Sequence, residues 1–217
     1  LSFIAQGPEI AIRDLEGRFY GGRLEGNANF YPTRGMSNFQ FEVAGRMQDV
    51  DLSRLLSAVQ QRPVEQFSGL VSSVFAVNGE LGDATRHSYV GQGRVSIRKG
   101  VLNQFPVFGI FSQLLTKLYP GLGYIRQTEL DTAFRLRDGR VSMDELRLNG
   151  TLFSVRAHGS VTLEHDLDFR VQLQLLRGGL LADLVRFVTS PLTKIFEFHL
   201  GGTLSKPLWR PLFLSLD

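Results

Sequence analysis

The chain has no cysteine among its 217 residues, so disulfides, thiolate metal sites and a cysteine nucleophile are all excluded. That absence does not choose a compartment, because proteins of oxidising spaces can also lack cysteine. Only one Trp and three Met are present. No stretch reaches the roughly 18 apolar residues that a membrane-spanning helix needs, and Leu1, Ser2 and Phe3 offer neither an initiator Met nor a basic-then-apolar signal. The expectation is a piece of a longer protein whose membrane anchor or export signal would lie upstream.

Strong net charge is missing too. The formal charge is +3, carried mostly by Arg spread over alternating polar positions rather than gathered in a run, which argues against nucleic acid as a partner. Scattered Arg of this kind serves solubility and cross-strand pairing, with contact to anionic lipid headgroups as a secondary use.

Catalytic patterns are equally scarce. Gly91-Gln92-Gly93 and Gly121-Leu122-Gly123 do not complete a dinucleotide-binding loop; the first is read as a bulge or as room for a close-packed helix. His87, His158, His165 and His199 form no metal-ligand spacing, so no metal or other cofactor is expected. No G-x-S-x-G elbow occurs, and Glu164 with Asp166 flanks a turn rather than a pocket. A non-enzyme is expected. Trp209, between Pro207 and Pro211, reads as an anchor for the C-terminal segment.

What the chain does have is 43% hydrophobic residues, 17 of them Phe, laid down in stripes. From 151 to 163, Phe153, Val155, Ala157, Gly159, Val161 and Leu163 alternate with Ser154, Arg156, His158, Ser160 and Thr162. From 167 to 175, Leu167, Phe169, Val171, Leu173 and Leu175 alternate with Asp168, Arg170, Gln172 and Gln174. Period two puts one set on each face of a strand. Asp138-Gly139, Asn149-Gly150 and the 164–166 segment mark reversals. Together they predict a four-strand antiparallel meander over 124–137, 140–148, 151–163 and 167–176. A parity shift near Asp144-Glu145 predicts a bulge.

Elsewhere, residues 9–48 read as short strands, with turns at 15–17 and 32–35. Asp51 caps a helix of about ten residues that ends before Pro63. A strand over 69–81 has apolar residues on both sides, which predicts cover on both. A polar loop over 83–88 follows, then a strand over 91–98 turned at Lys99-Gly100. Helices are predicted over 106–119 and 180–188, and a closing strand over 195–204. The helix-ending pairs Leu55-Leu56 and Leu114-Leu115 suggest a weak repeat of about 60 residues. The predicted fold is mainly β with minor α: a strongly bent antiparallel sheet with meander hairpins and about three short helices, forming an open apolar groove or half-barrel. Residues 1–90 would form an N-terminal β repeat with a short helix, and 91–217 a C-terminal repeat.

Three passages carry a resemblance: Gly91 through Leu102, Phe134-Arg135-Leu136-Arg137-Asp138-Gly139-Arg140-Val141, and Leu200-Gly201-Gly202-Thr203-Leu204-Ser205-Lys206-Pro207. Their order resembles the C-terminal region of AsmA-family proteins, which are in turn similar to the TamB and YhdP proteins and to the wider bridge-like lipid-transfer group. The resemblance implies a bacterial envelope protein with a periplasmic β-rich body, anchored in the inner membrane. That body would handle phospholipid or another acyl-chain ligand, with an envelope protein as a further partner, and have no catalytic residues. The candidate groove residues are Phe134, Leu136, Phe153, Val155, Val161, Phe169, Val171, Leu173, Phe196 and Phe198. The rival readings are a scaffolding domain with a fully closed core and a hydrolytic or carbohydrate-binding β domain.

Overall fold

The computed structural model describes residues 2–6, 9–32, 39–61, 63, 68–101, 128–150, 153–175 and 195–213. Alternation over long segments is satisfied by a single antiparallel sheet of twelve strands in chain order: β1 Ser2–Gln6, β2 Glu9–Phe19, β3 Gly22–Pro32, β4 Phe39–Asp51, β5 Ser68–Glu80, β6 Val90–Val101, β7 Thr128–Arg137, β8 Arg140–Asn149, β9 Phe153–Thr162, β10 Leu167–Leu175, β11 Ile195–Gly202 and β12 Pro207–Phe213. Each strand pairs with its sequence neighbours, and β1 does not meet β12, so the sheet is open rather than a closed barrel. The predicted meander is β7 to β10, and the ladder runs unbroken through β5, β6 and β7 across residue 90.

The hairpin at Asp138-Gly139 has φ of 51° and 69°, both left-handed as a two-residue reversal requires. A similar turn sits at Tyr20-Gly21, with φ of 43° and 87°. This corrects the turn expected at 15–17, which lies inside β2; the irregularity there is a bulge between Ile12 and Leu15, with Asp14 at φ 49°. Lys99-Gly100 is also a bulge, within β6, not a turn. Asn149 is a strand residue opposite Ser154, so the reversal there is longer than two residues. The bulge expected near Asp144-Glu145 is present between Met143 and Leu146. At the 164–166 reversal, His165 has φ 76° and its N–H donates to Thr162 O at 2.9 Å.

The helix forms where predicted, as α1, Leu52–Gln60. Asp51 Oδ1 accepts from the Arg54 N–H at 3.1 Å and from Ser53 Oγ at 2.6 Å, and Gln61 ends the helix in a left-handed conformation. Leu52 is buried in the core cluster, and Leu56 packs against it. The segment 83–88 is a 3-10 turn rather than a plain loop. Among the described residues α1 is the one α-helix; the helices expected over 106–119 and 180–188, and the turn at 32–35, lie outside them. Strands β1 and β12 add two that the periodicity did not mark.

The core cluster joins Leu52 and Val71 to Leu148, Val155, Ala157, Leu167, Phe169, Val171, Leu173 and Leu200. Cover is thus concentrated toward β8–β11. On β5 the two sides differ, contrary to the expectation of cover on both: Val71 is buried, whereas Val74 on the other side is 50% exposed.

Candidate functional site

Register decides which side chains share a face. One row of directly opposed residues crosses ten strands without a charge: Phe3, Ile12, Ala28, Val43, Val77, Gly91, Leu136, Val141, Val161 and Leu167. The next row on the same face is Leu15, Gly26, Gly45, Phe75, Gly93 and Phe134. Between bulges period two is kept on both sides of each pairing, so these two rows lie on one side of the sheet.

All ten candidate groove residues fall on this face. Phe134 stands opposite Gly93, and Leu136 opposite Gly91 and Val141. Val155 faces Leu173, which faces Phe196; Val171 faces Phe198; Phe169 stands between Gly159 and Leu200; Phe153 pairs with Leu175. Their surroundings then diverge. Leu173 is 2% exposed, and Val155, Val171, Phe169 and Leu136 are also buried. Phe134, Val161 and Phe198 are half-buried, and Phe198 meets Trp209 edge-on at 5.9 Å, which fits the anchoring role read for that Trp. Phe153 and Phe196 are placed here by strand position alone.

The glycines of the second row have a steric cause. A Cβ on Gly93 would lie 2.6 Å from the Phe134 ring, and one on Gly45 would lie 2.9 Å from Cζ of Phe75. Each ring lies over the bare backbone of the neighbouring strand, an arrangement in which an aromatic side chain covers a glycine across a strand pair. This corrects the reading of Gly91-Gln92-Gly93 as a bulge or a seat for a helix: Gly93 makes room for a ring from β7. Sequence reasoning passed over Gly26, Gly45 and Phe75, because the signal is a match between distant strands that appears only once register is known.

The opposite face is hydrophilic. His199, half-buried, and Asp168 are joined at 2.9 Å, and Gln172 donates to Glu197 at 2.9 Å. Arg147 binds Glu145 through two hydrogen bonds of 2.6 Å, which hold the carboxyl below its ordinary pKa and raise that of the guanidinium. The first two join β10 to β11 and the third lies along β8; all are surface pairs of small energetic weight. Glu164 lies 3.8 Å from His87. Among the described residues, no three His, Asp or Glu side chains gather as a metal site would need, and no helix is long and apolar enough to cross a membrane.

No protein family, curated protein or solved structure matches the chain.

Proposed function

We propose that this is a non-catalytic lipid-handling module of the bacterial cell envelope, in which the apolar face of the sheet acts as a groove for acyl chains. The supporting observation is the uncharged face that crosses the sheet strand after strand while its β2–β4 portion, as far as Met47, leaves Ile12, Ala28, Val43 and Met47 only half-buried. An acyl chain laid across these strands would gain about 0.8 kcal/mol for each methylene removed from water. It would need no specific polar contact. Bulges in β2, β4, β6, β7 and β8 each bend their strand and fit a bent, groove-forming sheet.

The resemblance to AsmA-family proteins adds the setting: a periplasmic body held to the inner membrane by an upstream anchor, contributing to phospholipid transport or outer-membrane lipid balance. The test is native mass spectrometry of the protein purified from cells. Bound phospholipid is the expected result, and consistently lipid-free spectra under gentle conditions would remove the reading. A second reading is favoured by the burial of Val155, Phe169, Val171 and Leu173. It takes the domain as a scaffold with a closed core that binds an envelope protein, and lipid-free spectra would leave it standing.

A further inference from the structure

We infer that the hydrophilic face, on the side of the sheet away from the proposed groove, carries a binding site for a phosphate ester centred on Arg46 and Arg94. Most positions on that face bear polar or charged side chains. At its centre, however, Ala44, Ala76 and Ala133 are exposed and Val74 is 50% exposed. These small side chains floor a basin of about 910 Å³, with Arg46, Arg94 and Arg135 among the residues lining it.

Arg46 and Arg94 stand on β4 and β6, each directly opposite Val74 on β5. With strands about 4.8 Å apart, their Cα atoms are separated by roughly 10 Å, so the two side chains can close over Val74 from either side. Neither makes an ion pair or a side-chain hydrogen bond among the described residues. Other arginines on this face are engaged: Arg135 with Asp144 at 2.5 Å and Arg23 with Glu25 at 3.8 Å. Glu25, the one carboxylate lining the basin among the described residues, stands opposite Arg46 and is already approached by Arg23.

Two guanidinium groups carried on either side of Val74 can be bridged by one anion. A single carboxylate satisfies one guanidinium fork, whereas the terminal oxygens of a phosphate can accept from two at once. The ester's carbon body would then rest on the alanine and valine floor. This site does not depend on the lipid reading, because the apolar rows lie on the other face.

Calorimetric titration of the full chain with glycerol 1-phosphate tests it, alongside sedimentation with phosphatidylcholine vesicles with and without phosphatidylglycerol. Saturable binding of the soluble ester is expected, weakened about tenfold or more by the pair Arg46→Gln and Arg94→Gln through loss of charge-assisted hydrogen bonds. The pair Arg18→Gln and Arg210→Gln, which removes the same charge elsewhere on that face, should leave binding unchanged. All four arginines are exposed, and circular dichroism checks that each variant folds. Vesicle binding that needs phosphatidylglycerol and is displaced by the ester would identify a lipid headgroup as the source. Ester binding without vesicle binding would identify a soluble phosphate ester. No saturable ester binding, or equal weakening by both arginine pairs, would overturn the inference.

Discussion

Strands β2–β4 and strands β8–β11 share the same alternation, the same pairing and the same sorting of apolar residues to one face, yet their burial differs. Up to Asp49 no described side chain of β2–β4 is fully buried, and Val43, Met47 and Phe30 remain partly open; burial begins at Val50, next to α1 at the end of β4. Between 155 and 173, Val155, Ala157, Phe169, Val171 and Leu173 are all closed off. An alternating pattern therefore identifies the face that prefers to leave water, but not what covers it. Cover depends on what is packed against that face: α1 lies against β4 and β5, and most of the core cluster belongs to β8–β11.

The largest effects should fall on the closed half. Leu173→Ala should cost about 2–5 kcal/mol by deleting a fully buried side chain. Met47→Ala, on the open half, should cost under about 1.5 kcal/mol because it starts partly solvated. Urea midpoints of the two variants measure the contrast, and equal losses would erase it.

Glycine substitutions sharpen the same difference. At Gly159, φ is 155° and a Cβ would lie 2.1 Å from the backbone oxygen of Asp168, so Gly159→Ala must push β9 and β10 apart. A loss of about 2–4 kcal/mol is expected, within the range of backbone strain plus overpacking. At Gly45 the nearest obstacle is the end of the Phe75 ring, which can swing away; Gly45→Ala should cost about 1 kcal/mol or less. Thermal unfolding of both variants checks the order.

These contrasts mark how far the sequence could be read. Strands β7–β10 are legible because they carry period-two runs, broken once at the β8 bulge, and because the Asp138-Gly139 joint carries turn residues with a definite backbone geometry. The bulge at 143–146 shows as a parity slip, and α1 shows as a change of period beginning at a capping Asp. The turn at Tyr20-Gly21 is not legible, since Tyr is a poor residue for positive φ and the tertiary ladder imposes it. The bulges at Asp14 and Lys99 look like turns because a single left-handed residue breaks the alternation in either case. For the candidate site, face membership follows from parity alone. Burial does not, nor does the seating of Phe134 over Gly93, because both depend on contacts between segments far apart in the chain.

A smaller effect comes from the helix cap that seats the cover. Ser53 and the Arg54 N–H hydrogen-bond to the Asp51 carboxylate and lower its pKa from 3.8. Stabilisation of this kind is fully present above that ordinary value and is lost as pH falls through the lower, folded one. Asp51→Ala should cost about 1 kcal/mol near neutral pH, and the gap between variant and parent melting temperatures should shrink in acid. A gap that stays constant down to the lowest pH would show that the carboxylate's charge is irrelevant. Smallest of all, a double-mutant cycle on Arg135 and Asp144, both well exposed, should yield a coupling below about 1 kcal/mol that fades with salt.

The most direct test of an open groove beside a closed core is site-specific photo-crosslinking in cells, with a benzophenone side chain placed at Phe75 in one variant and at Phe169 in another. The account predicts phospholipid adducts at Phe75, where the apolar face is half-buried, and none at Phe169, which is 7% exposed. Adducts at Phe169 alone, or at neither position in variants that fold, would contradict it.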